Sequence, residues 1–270
     1  MDKKRIISAV IGIPVTGAIF IFGNQYIIDI FIGIVAMLAM KEYFNAISSK
    51  AKPIKWIGYL FCILIAFTHL FFKFVPEELQ EDILVITLPS IMLICFLQIV
   101  LSNMKTNFND LVYTIFGIIY IIGTSIFITL IRGLENGKIL IWYFIIASWG
   151  TDIFAYLIGK RWGKHKFSKV SPKKSIEGCI AGILGAIVLS MIFTVIIAKF
   201  GFNYSYIKVI VITVILSIIS QIGDFAASTI KRYVDIKNYG DIIPGHGGVL
   251  DRIDSLMFIA PFAYILLKIL

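Results

Sequence analysis

Charged residues are scarce in this chain of 270 residues. Asp, Glu, Lys and Arg together make up 15% of the sequence, whereas about 25% is usual in a soluble domain. Hydrophobic residues make up 59%, and the mean hydropathy is +0.93. This composition excludes an ordinary soluble domain and predicts an all-α, polytopic integral membrane protein.

Cysteine is also rare. The three cysteines, Cys62, Cys95 and Cys179, all lie in apolar runs, and none is paired at a spacing typical of a metal site. We interpret them as buried apolar residues rather than as redox or metal-binding groups.

Acidic residues are fewer than basic ones. The chain holds 16 Asp and Glu against 25 Lys and Arg, which gives a net charge of +9 at pH 7. In a soluble protein such a balance can indicate nucleic acid, but in a membrane protein the location of the charges is more informative. We expect no nucleic-acid partner.

Nine apolar runs are candidates for membrane-spanning helices, each of which needs about 20 residues to cross a bilayer. The runs cover residues 6–22, 26–40, 56–75, 83–101, 112–131, 139–158, 179–198, 207–222 and 256–270. No small-residue cleavage site follows the basic start of the chain, so we expect the first run to remain as a helix. We expect a single transmembrane bundle, residues 1–270, with N-terminal helices in residues 1–138.

The distribution of Lys and Arg predicts the orientation. When the N-terminus is placed in the cytoplasm and the nine runs alternate, 19 of the 25 Lys and Arg fall in cytoplasmic segments. This asymmetry agrees with the positive-inside rule. Two long polar segments, residues 159–178 and 223–255, then face the cytoplasm.

The polar segment of residues 223–255 lies between two apolar runs. Such a segment is costly near a bilayer unless it binds something charged. It opens with Asp224, Ser228, Lys231 and Arg232. On a helix this spacing places a carboxylate, a hydroxyl and two cations on or near one face.

A glycine-rich loop, residues 244–248, follows in the same segment. The helix cannot continue here, because Pro244 lacks a backbone donor and three glycines favour an open backbone. Asp251 and Asp254 then open the last apolar run, three residues apart. Two helix ends with carboxylates, a glycine-rich loop and several cations are what a metal–phosphate site requires.

The other polar segment, residues 159–178, carries seven cations and one carboxylate and forms a natural anion-binding surface. Charges that only set the topology and contact anionic lipid are the alternative. Ser175 and Glu177 can help to start the next helix, whose N-terminus favours phosphate. Lys173 and Lys174 come directly before that N-terminus.

Two carboxylates lie inside apolar runs. We interpret Asp152 as a functional residue, with a polar contact between helices, to Tyr156 or a serine, as the alternative. Asp29 lies nearer a helix end, and we do not expect it to act. We interpret His69 as interfacial or solvated, whereas we expect His246, inside the glycine-rich loop, to be functional.

A family resemblance rests on the order of residues in the polar segment 223–255. That order is Ser228-x-x-Lys231-Arg232, then Lys237, then Pro244-x-His246-Gly247-Gly248-x-x-Asp251-Arg252-x-Asp254. It resembles the signature of the phosphatidate cytidylyltransferases, also called CDP-diacylglycerol synthases, over about 27 residues. One position departs from the family, which usually has Asp where this chain has Asn238. Asn keeps a carbonyl oxygen but loses the charge, and Asp241 lies close by in sequence.

The polar segment 159–178 and the residues just before it extend the resemblance. The run Ser171-Pro172-Lys173-Lys174-Ser175-x-Glu177-Gly178 is similar to a block of the same family, as is Asp152-x-x-Ala155-Tyr156-x-x-Gly159-(x)3-Gly163. The resemblance therefore covers the second half of the chain, and it makes residues 139–270 the expected catalytic half.

The resemblance implies the reaction of CTP with phosphatidate to give CDP-diacylglycerol and pyrophosphate. It implies Mg²⁺ as the cofactor, with a second, monovalent cation left open, and it makes a homodimer plausible. Both substrates meet at the cytoplasmic face of the bacterial plasma membrane in this interpretation. We expect Asp224 and Asp251 to be the metal ligands, with Asp254 and Asp152 as the second choice.

The resemblance also assigns the other residues of these blocks. The residues expected to act on the reacting phosphates are Asp251, Asp254, Lys231, Arg232, Ser228 and His246. The residues expected to bind substrate are Ser171, Lys173, Lys174, Lys237, Gly247, Gly248 and Arg252. The cations hold phosphate groups, and the glycines let backbone N–H groups approach them.

Two other functions remain open at this stage. A related membrane transferase would use another lipid phosphate or a polyprenyl acceptor. An ion-coupled transporter or channel would use Asp29 and Asp152, but it predicts polar groups near the middle of the membrane. Most polar groups here lie at one face, which favours an interfacial enzyme.

Overall fold

The computed structural model describes residues 3–103, 105–168, 171 and 174–270. All regular elements within these residues are helices, as predicted, and the extended pairings are isolated bridges. The helices are α1 (Lys3–Phe22), α2 (Gln25–Ile47), α3 (Lys55–Ala66), α4 (Thr68–Phe72), α5 (Glu77–Leu101), α6 (Phe108–Gly117), α7 (Gly123–Gly133), α8 (Gly137–Ile145), α9 (Thr151–Trp162), α10 (Ile176–Ala198), α11 (Tyr206–Tyr233) and α12 (Leu250–Leu267). Two π-helical turns, Ile118–Ile122 and Ile146–Gly150, join α6 to α7 and α8 to α9.

Among the described residues, four helical stretches are long and apolar enough to cross a membrane. These are Phe108–Gly133, Gly137–Trp162, Ile176–Ala198 and Tyr206–Tyr233. They match the fifth to eighth predicted runs, so the chain has the character of a membrane protein. The total of nine spans and the orientation of the N-terminus stay predictions.

The third predicted run, residues 56–75, is not one continuous helix. It divides into α3 and α4 at Phe67, whose φ of −119° and ψ of 15° are not helical. The buried carboxylate of Asp29 accepts the backbone N–H of His69 at 3.1 Å, and its Oδ2 lies 2.8 Å from Nδ1 of the same residue. His69, which we expected to be interfacial or solvated, is therefore bound to a buried acid.

The chain forms two compact units. Unit 1 comprises residues 1–129 and 234–252, and unit 2 comprises residues 130–233 and 253–270. The expectation of a single bundle stays a prediction.

Within unit 1, α2 packs closely against α3 and α6. Tyr43 and Phe44 on α2 are fully buried. A Cβ at Gly58 of α3 would lie 2.5 Å from the Phe44 ring, and a Cβ at Gly117 of α6 would overlap the Tyr43 ring. Small residues at these two positions let the helices approach. The Tyr43 hydroxyl donates to the carbonyl oxygen of Tyr113 at 3.0 Å.

Within unit 2, α9 and α10 are in close contact along a row of glycines. Gly178, Gly182 and Gly185 follow one face of α10. A Cβ at Gly178 would lie 2.8 Å from the carbonyl oxygen of Ala155, and one at Gly182 would lie 2.8 Å from that of Thr151. Close approach through small residues is a common way to pack helices in a membrane.

The π-helical turn before α9 changes the direction of the side chains that follow. Its bonding adds one residue to a turn of helix, and such turns are frequent at functional sites. Thr151, the first residue of α9, donates its hydroxyl to the carbonyl oxygen of Ala147 at 2.5 Å and lies 2.6 Å from Oγ of Ser217 on α11. The face on which Asp152 lies is therefore set by this turn.

We expect Gly182→Ala to lower the melting temperature of the purified protein. Overpacking of this kind costs about 1–3 kcal/mol, more than the ~1 kcal/mol that alanine gains over glycine in helix propensity. The matched control is Gly12→Ala on α1, where the added methyl group meets nothing within 4 Å. Equal melting temperatures for the two variants, followed by tryptophan fluorescence in detergent, would contradict the close packing of α9 and α10.

Candidate active site

The last turns of α11 carry the first group of predicted site residues. Asp224 and Ser228 are half-buried and Arg232 is exposed. The helix ends two residues before Asp235, which has a left-handed φ of 57°. The helix predicted for these polar residues is therefore confirmed.

A buried carboxylate on α12 is the most unusual group in unit 2. Asp254 is 4% exposed, and its Oδ2 has no hydrogen-bond partner, while Oδ1 accepts the backbone N–H of Ser255 at 2.8 Å. The ammonium of Lys231 lies 3.9 Å from Oδ2. Burial, together with the negative charges of Asp224 and Asp152, raises the pKa of Asp254 to about 8, although Lys231 and the N–H of Ser255 act in the opposite direction. This carboxylate needs more positive charge than the protein supplies.

Asp152 joins this cluster through hydroxyl groups. Its Oδ2 accepts a hydrogen bond from Oγ of Ser255 at 3.2 Å. Oγ of Ser255 lies 3.1 Å from Oγ of Ser148, which accepts from Oγ of Ser220 at 3.2 Å. A serine on α12, and not the exposed Tyr156, therefore provides the polar contact between helices that the sequence left open.

Lys174 connects the basic segment to α11. Its ammonium forms an ion pair with Asp224 and lies 4.6 Å from the centre of the Phe225 ring. Phe225 stacks in turn on Phe167, with ring centroids 4.9 Å apart. Cation–π and aromatic contacts therefore position this lysine beside the carboxylate.

The N-terminus of α10 is capped as the sequence predicts. The Ser175 side chain accepts the backbone N–H of Gly178 at 3.1 Å. Glu177 accepts the backbone N–H groups of Lys164 and His165 at 3.2 Å each, and its Oε1 lies 2.6 Å from Nδ1 of His165. These bonds fold the basic segment back onto the start of α10.

Ser171 is the predicted substrate-binding residue of this segment, besides Lys174, that the structure describes. Ser171 is half-buried, and its carbonyl oxygen accepts the backbone N–H of Lys174 at 3.1 Å. Lys173 lies outside the described residues, so its predicted role stays a prediction.

The glycine-rich loop, in unit 1, closes on itself. Ile243 donates its N–H to the carbonyl oxygen of Gly247 at 2.9 Å, and Gly247 donates back to Ile243 at 3.2 Å. Gly245 and Gly247 have φ values of 76° and 90°, which only glycine adopts readily. The half-buried His246 lies between these two glycines.

Asp251 binds backbone groups of the same region. Its Oδ2 accepts the N–H of Tyr239 at 2.8 Å and that of Gly248 at 3.1 Å. The N–H of Gly247 is bound to the carbonyl oxygen of Ile243 and that of Gly248 to Asp251, so each would have to leave its partner to bind phosphate as predicted. Arg252 and Lys237 are both exposed, as expected of groups that meet a soluble or interfacial substrate.

Sequence reasoning missed one carboxylate in this region. Glu42 on α2 is 3% exposed and accepts the backbone N–H groups of Val249 and Leu250 at 2.9 and 2.8 Å. Burial raises its pKa, and the hydrogen bonds from Leu250 and Val249 lower it. The sequence could have pointed to Glu42 only through its position, because this carboxylate follows the apolar run of residues 26–40.

The described residues contain no group of three or more His, Cys, Asp or Glu side chains arranged to hold a metal ion. Mg²⁺, however, often uses only one or two carboxylates together with phosphate oxygens and water. Asp224 and Asp254 fit this requirement, because Asp254 Oδ2 is buried without a hydrogen bond and the two charges repel each other. Asp251, the other first choice from the sequence, uses one oxygen to bind two amides.

We expect Asp254→Asn to raise the melting temperature at pH 8 when divalent cations are chelated. Folding raises the pKa of Asp254 from 3.8 to about 8. Between these two pH values the folded protein binds more protons than the unfolded chain, so its stability falls as the pH rises. The difference between variant and wild type should therefore disappear near pH 4.

The control for this prediction is Asp235→Asn, because the side chain of Asp235 is 87% exposed. It should melt like the wild type at both pH values. A lower melting temperature for Asp254→Asn than for the wild type at pH 8 would contradict the electrostatic strain inferred for Asp254.

Comparisons with known proteins agree with the resemblance seen in the sequence. Residues 3–270 of the chain match a protein family described as "Cytidylyltransferase family". A phosphatidate cytidylyltransferase of Staphylococcus aureus (strain COL) is 34% identical over 272 residues, which cover 98% of each chain. A protein of the same name from Bacillus subtilis (strain 168) is 38% identical over 186 residues, which cover 68% of each chain. Another, from Staphylococcus haemolyticus (strain JCSC1435), is 30% identical over 270 residues, which cover 98% of each chain. The chain therefore belongs to the cytidylyltransferase family.

Proposed function

We propose that this protein is a phosphatidate cytidylyltransferase, which transfers the cytidylyl group of CTP to phosphatidate and releases pyrophosphate. The observation that carries the proposal is the cluster of Asp152, Asp224 and Asp254 with Lys174 and Lys231, in which a buried carboxylate oxygen lacks a hydrogen bond. The family membership supports the same chemistry.

The reaction asks mainly for charge compensation and positioning. An oxygen of the phosphatidate phosphate forms a bond to the α-phosphorus of CTP, and the bond from that phosphorus to pyrophosphate breaks. Both reactants are anions, so Lys174, Lys231 and Arg232 would offset their repulsion. The attacking phosphate is already ionised at neutral pH, and little proton transfer is needed.

Mg²⁺ is the cofactor that this arrangement fits. Asp224 and Asp254 would hold it, with Asp152 beside them, whereas Asp251 would chiefly bind the amides of Tyr239 and Gly248. When bound, the ion would supply positive charge that offsets the negative charge of the phosphate oxygens. Lys174 would turn from Asp224 to a phosphate oxygen of CTP, because a cation bound to Asp224 would take over the compensation of that carboxylate's charge.

We propose a nine-span topology in the bacterial plasma membrane, with a cytoplasmic N-terminus. The charge asymmetry of the sequence supports this orientation. It would place the basic segment and the last turns of α11 where soluble CTP and a lipid head group can both reach them. The homodimer and the monovalent cation stay predictions from the family resemblance.

The test is the transfer of radiolabel from α-labelled CTP into extractable lipid, with purified protein, phosphatidate and magnesium. We expect Asp224→Asn and Asp254→Asn to lower the rate by at least about 100-fold, because each removes a proposed ligand of the cation that would stabilise the negative charge of the transition state. Asp235→Asn should stay within about twofold of the wild type, since exposed substitutions have small effects.

The possible outcomes separate the parts of the proposal. Label that appears only with another lipid phosphate or a polyprenyl phosphate would show that the acceptor is wrong. Activity within a few fold of the wild type in both variants would leave the reaction standing and overturn the metal ligands. No labelling with any acceptor, in folded protein, would overturn the proposed function.

A further inference from the structure

Glu42 holds the start of α12 from a distant part of the sequence. Its Oε1 and Oε2 accept the N–H groups of Val249 and Leu250, which are 207 and 208 residues away along the chain. The first N–H groups of a helix have no partner within the helix, and the positive end of the helix dipole favours a carboxylate there. Glu42 therefore caps the start of α12 from another helix.

Two glycines make room for this carboxylate. A Cβ at Gly240 would lie 2.6 Å from Oε1 of Glu42, and a Cβ at Gly248 would overlap Oε2. Neither glycine has a positive φ, in contrast to Gly245 and Gly247. Glycine is thus needed at these two positions for space, and the space is occupied by Glu42.

Asp251 completes the arrangement within unit 1. Its Oδ2 accepts the N–H groups of Tyr239 and Gly248, so two carboxylates bind four backbone amides between residues 239 and 250. Both carboxylates are buried, where hydrogen bonds to charged groups are strong and their loss is costly. The segment that leads into α12 is thereby fixed from two sides.

We propose that Glu42 is a positioning residue for the transfer reaction, one that fixes the first turn of α12 and so the placement of the signature residues that this helix carries. The signature residues Asp251 and Arg252 lie on that turn. The inference rests on the proposed function. Glu42 does not touch the substrates in this role, and it acts through the backbone N–H groups of Val249 and Leu250.

The variant that tests the inference is Glu42→Gln, which keeps the size of the side chain. The glutamine carbonyl can accept one amide, but its NH₂ group faces the other N–H donor, so one bond is lost. We expect kcat to fall by about 10–100-fold, the effect typical of groups that orient a site from outside it. We also expect the magnesium concentration for half-maximal activity to rise, with a smaller change in the KM for CTP.

The matched control is Asp110→Asn, another buried carboxylate of unit 1. Asp110 is 3% exposed and accepts the N–H groups of Lys52 at 2.6 Å and Asn107 at 3.0 Å. It caps α6, not α12. We expect this variant to lose thermal stability but to keep kcat and the magnesium dependence of the wild type.

A second variant covers the case in which Glu42→Gln does not fold. Gly240→Ala keeps the charge of Glu42 but places a methyl group against it, and the three nearest atoms to that methyl group all belong to Glu42. We expect Gly240→Ala to lower kcat in the wild type and to have a smaller effect when combined with Glu42→Ala, which removes the clash. Independent effects of the two substitutions would contradict the coupling.

Amide hydrogen exchange tests the contact without any assay of activity. Glu42→Gln should speed exchange in residues 239–250 and leave residues 48–54 as they are in the wild type. Unchanged exchange in residues 239–250 would overturn the inference. So would a kcat within about twofold of the wild type in a Glu42→Gln protein that has only lost stability.

The failure of the proposed function would be seen separately. A wild-type protein that is inactive with phosphatidate would reject the proposed acceptor, whatever Glu42 does. In that case the rise in melting temperature caused by magnesium and CTP decides the inference. A rise in the wild type that is lost in Glu42→Gln but kept in Asp110→Asn would support it, and a rise kept in all three would overturn it.

Discussion

The cost of burying a carboxylate without enough positive charge is the constraint that unit 2 must satisfy. Asp254 is 4% exposed, and one of its oxygens has no hydrogen bond. An apolar side chain of similar size would be cheaper at this position. The protein instead keeps two further carboxylates, Asp152 and Asp224, close enough to raise the pKa of Asp254. Such strain is expected where a site is built to receive a cation.

The surrounding structure keeps this cluster in place without neutralising it fully. Ser255 donates to Asp152 and donates its backbone N–H to Asp254. Lys174 pairs with Asp224 and is itself positioned by Phe225. The contacts come from neutral hydroxyl and amide groups and from the ammonium of Lys174. This lysine can change its partner when a triphosphate binds.

Backbone proximity is the second requirement, and glycine provides it in both units. Gly178 and Gly182 bring α10 against α9 in unit 2. In unit 1, Gly240 and Gly248 leave the space that the carboxylate of Glu42 fills. In each case the absent side chain allows a polar group or a backbone oxygen to lie at the contact, where helices in a membrane gain little from apolar packing alone.

The sequence by itself determined the all-helical fold, the four long apolar helices and the helix-break-helix pattern around residues 244–248. These features follow from composition, local spacing and the conformational limits of proline and glycine. Only the tertiary structure decided that Glu42 caps α12, that Asp251 binds amides while Asp254 remains short of partners, and that a buried Asp29 binds the N–H of His69 at the start of α4. Those contacts join residues about 40 to 208 positions apart or depend on burial, and neither distance in space nor burial is encoded in a local pattern.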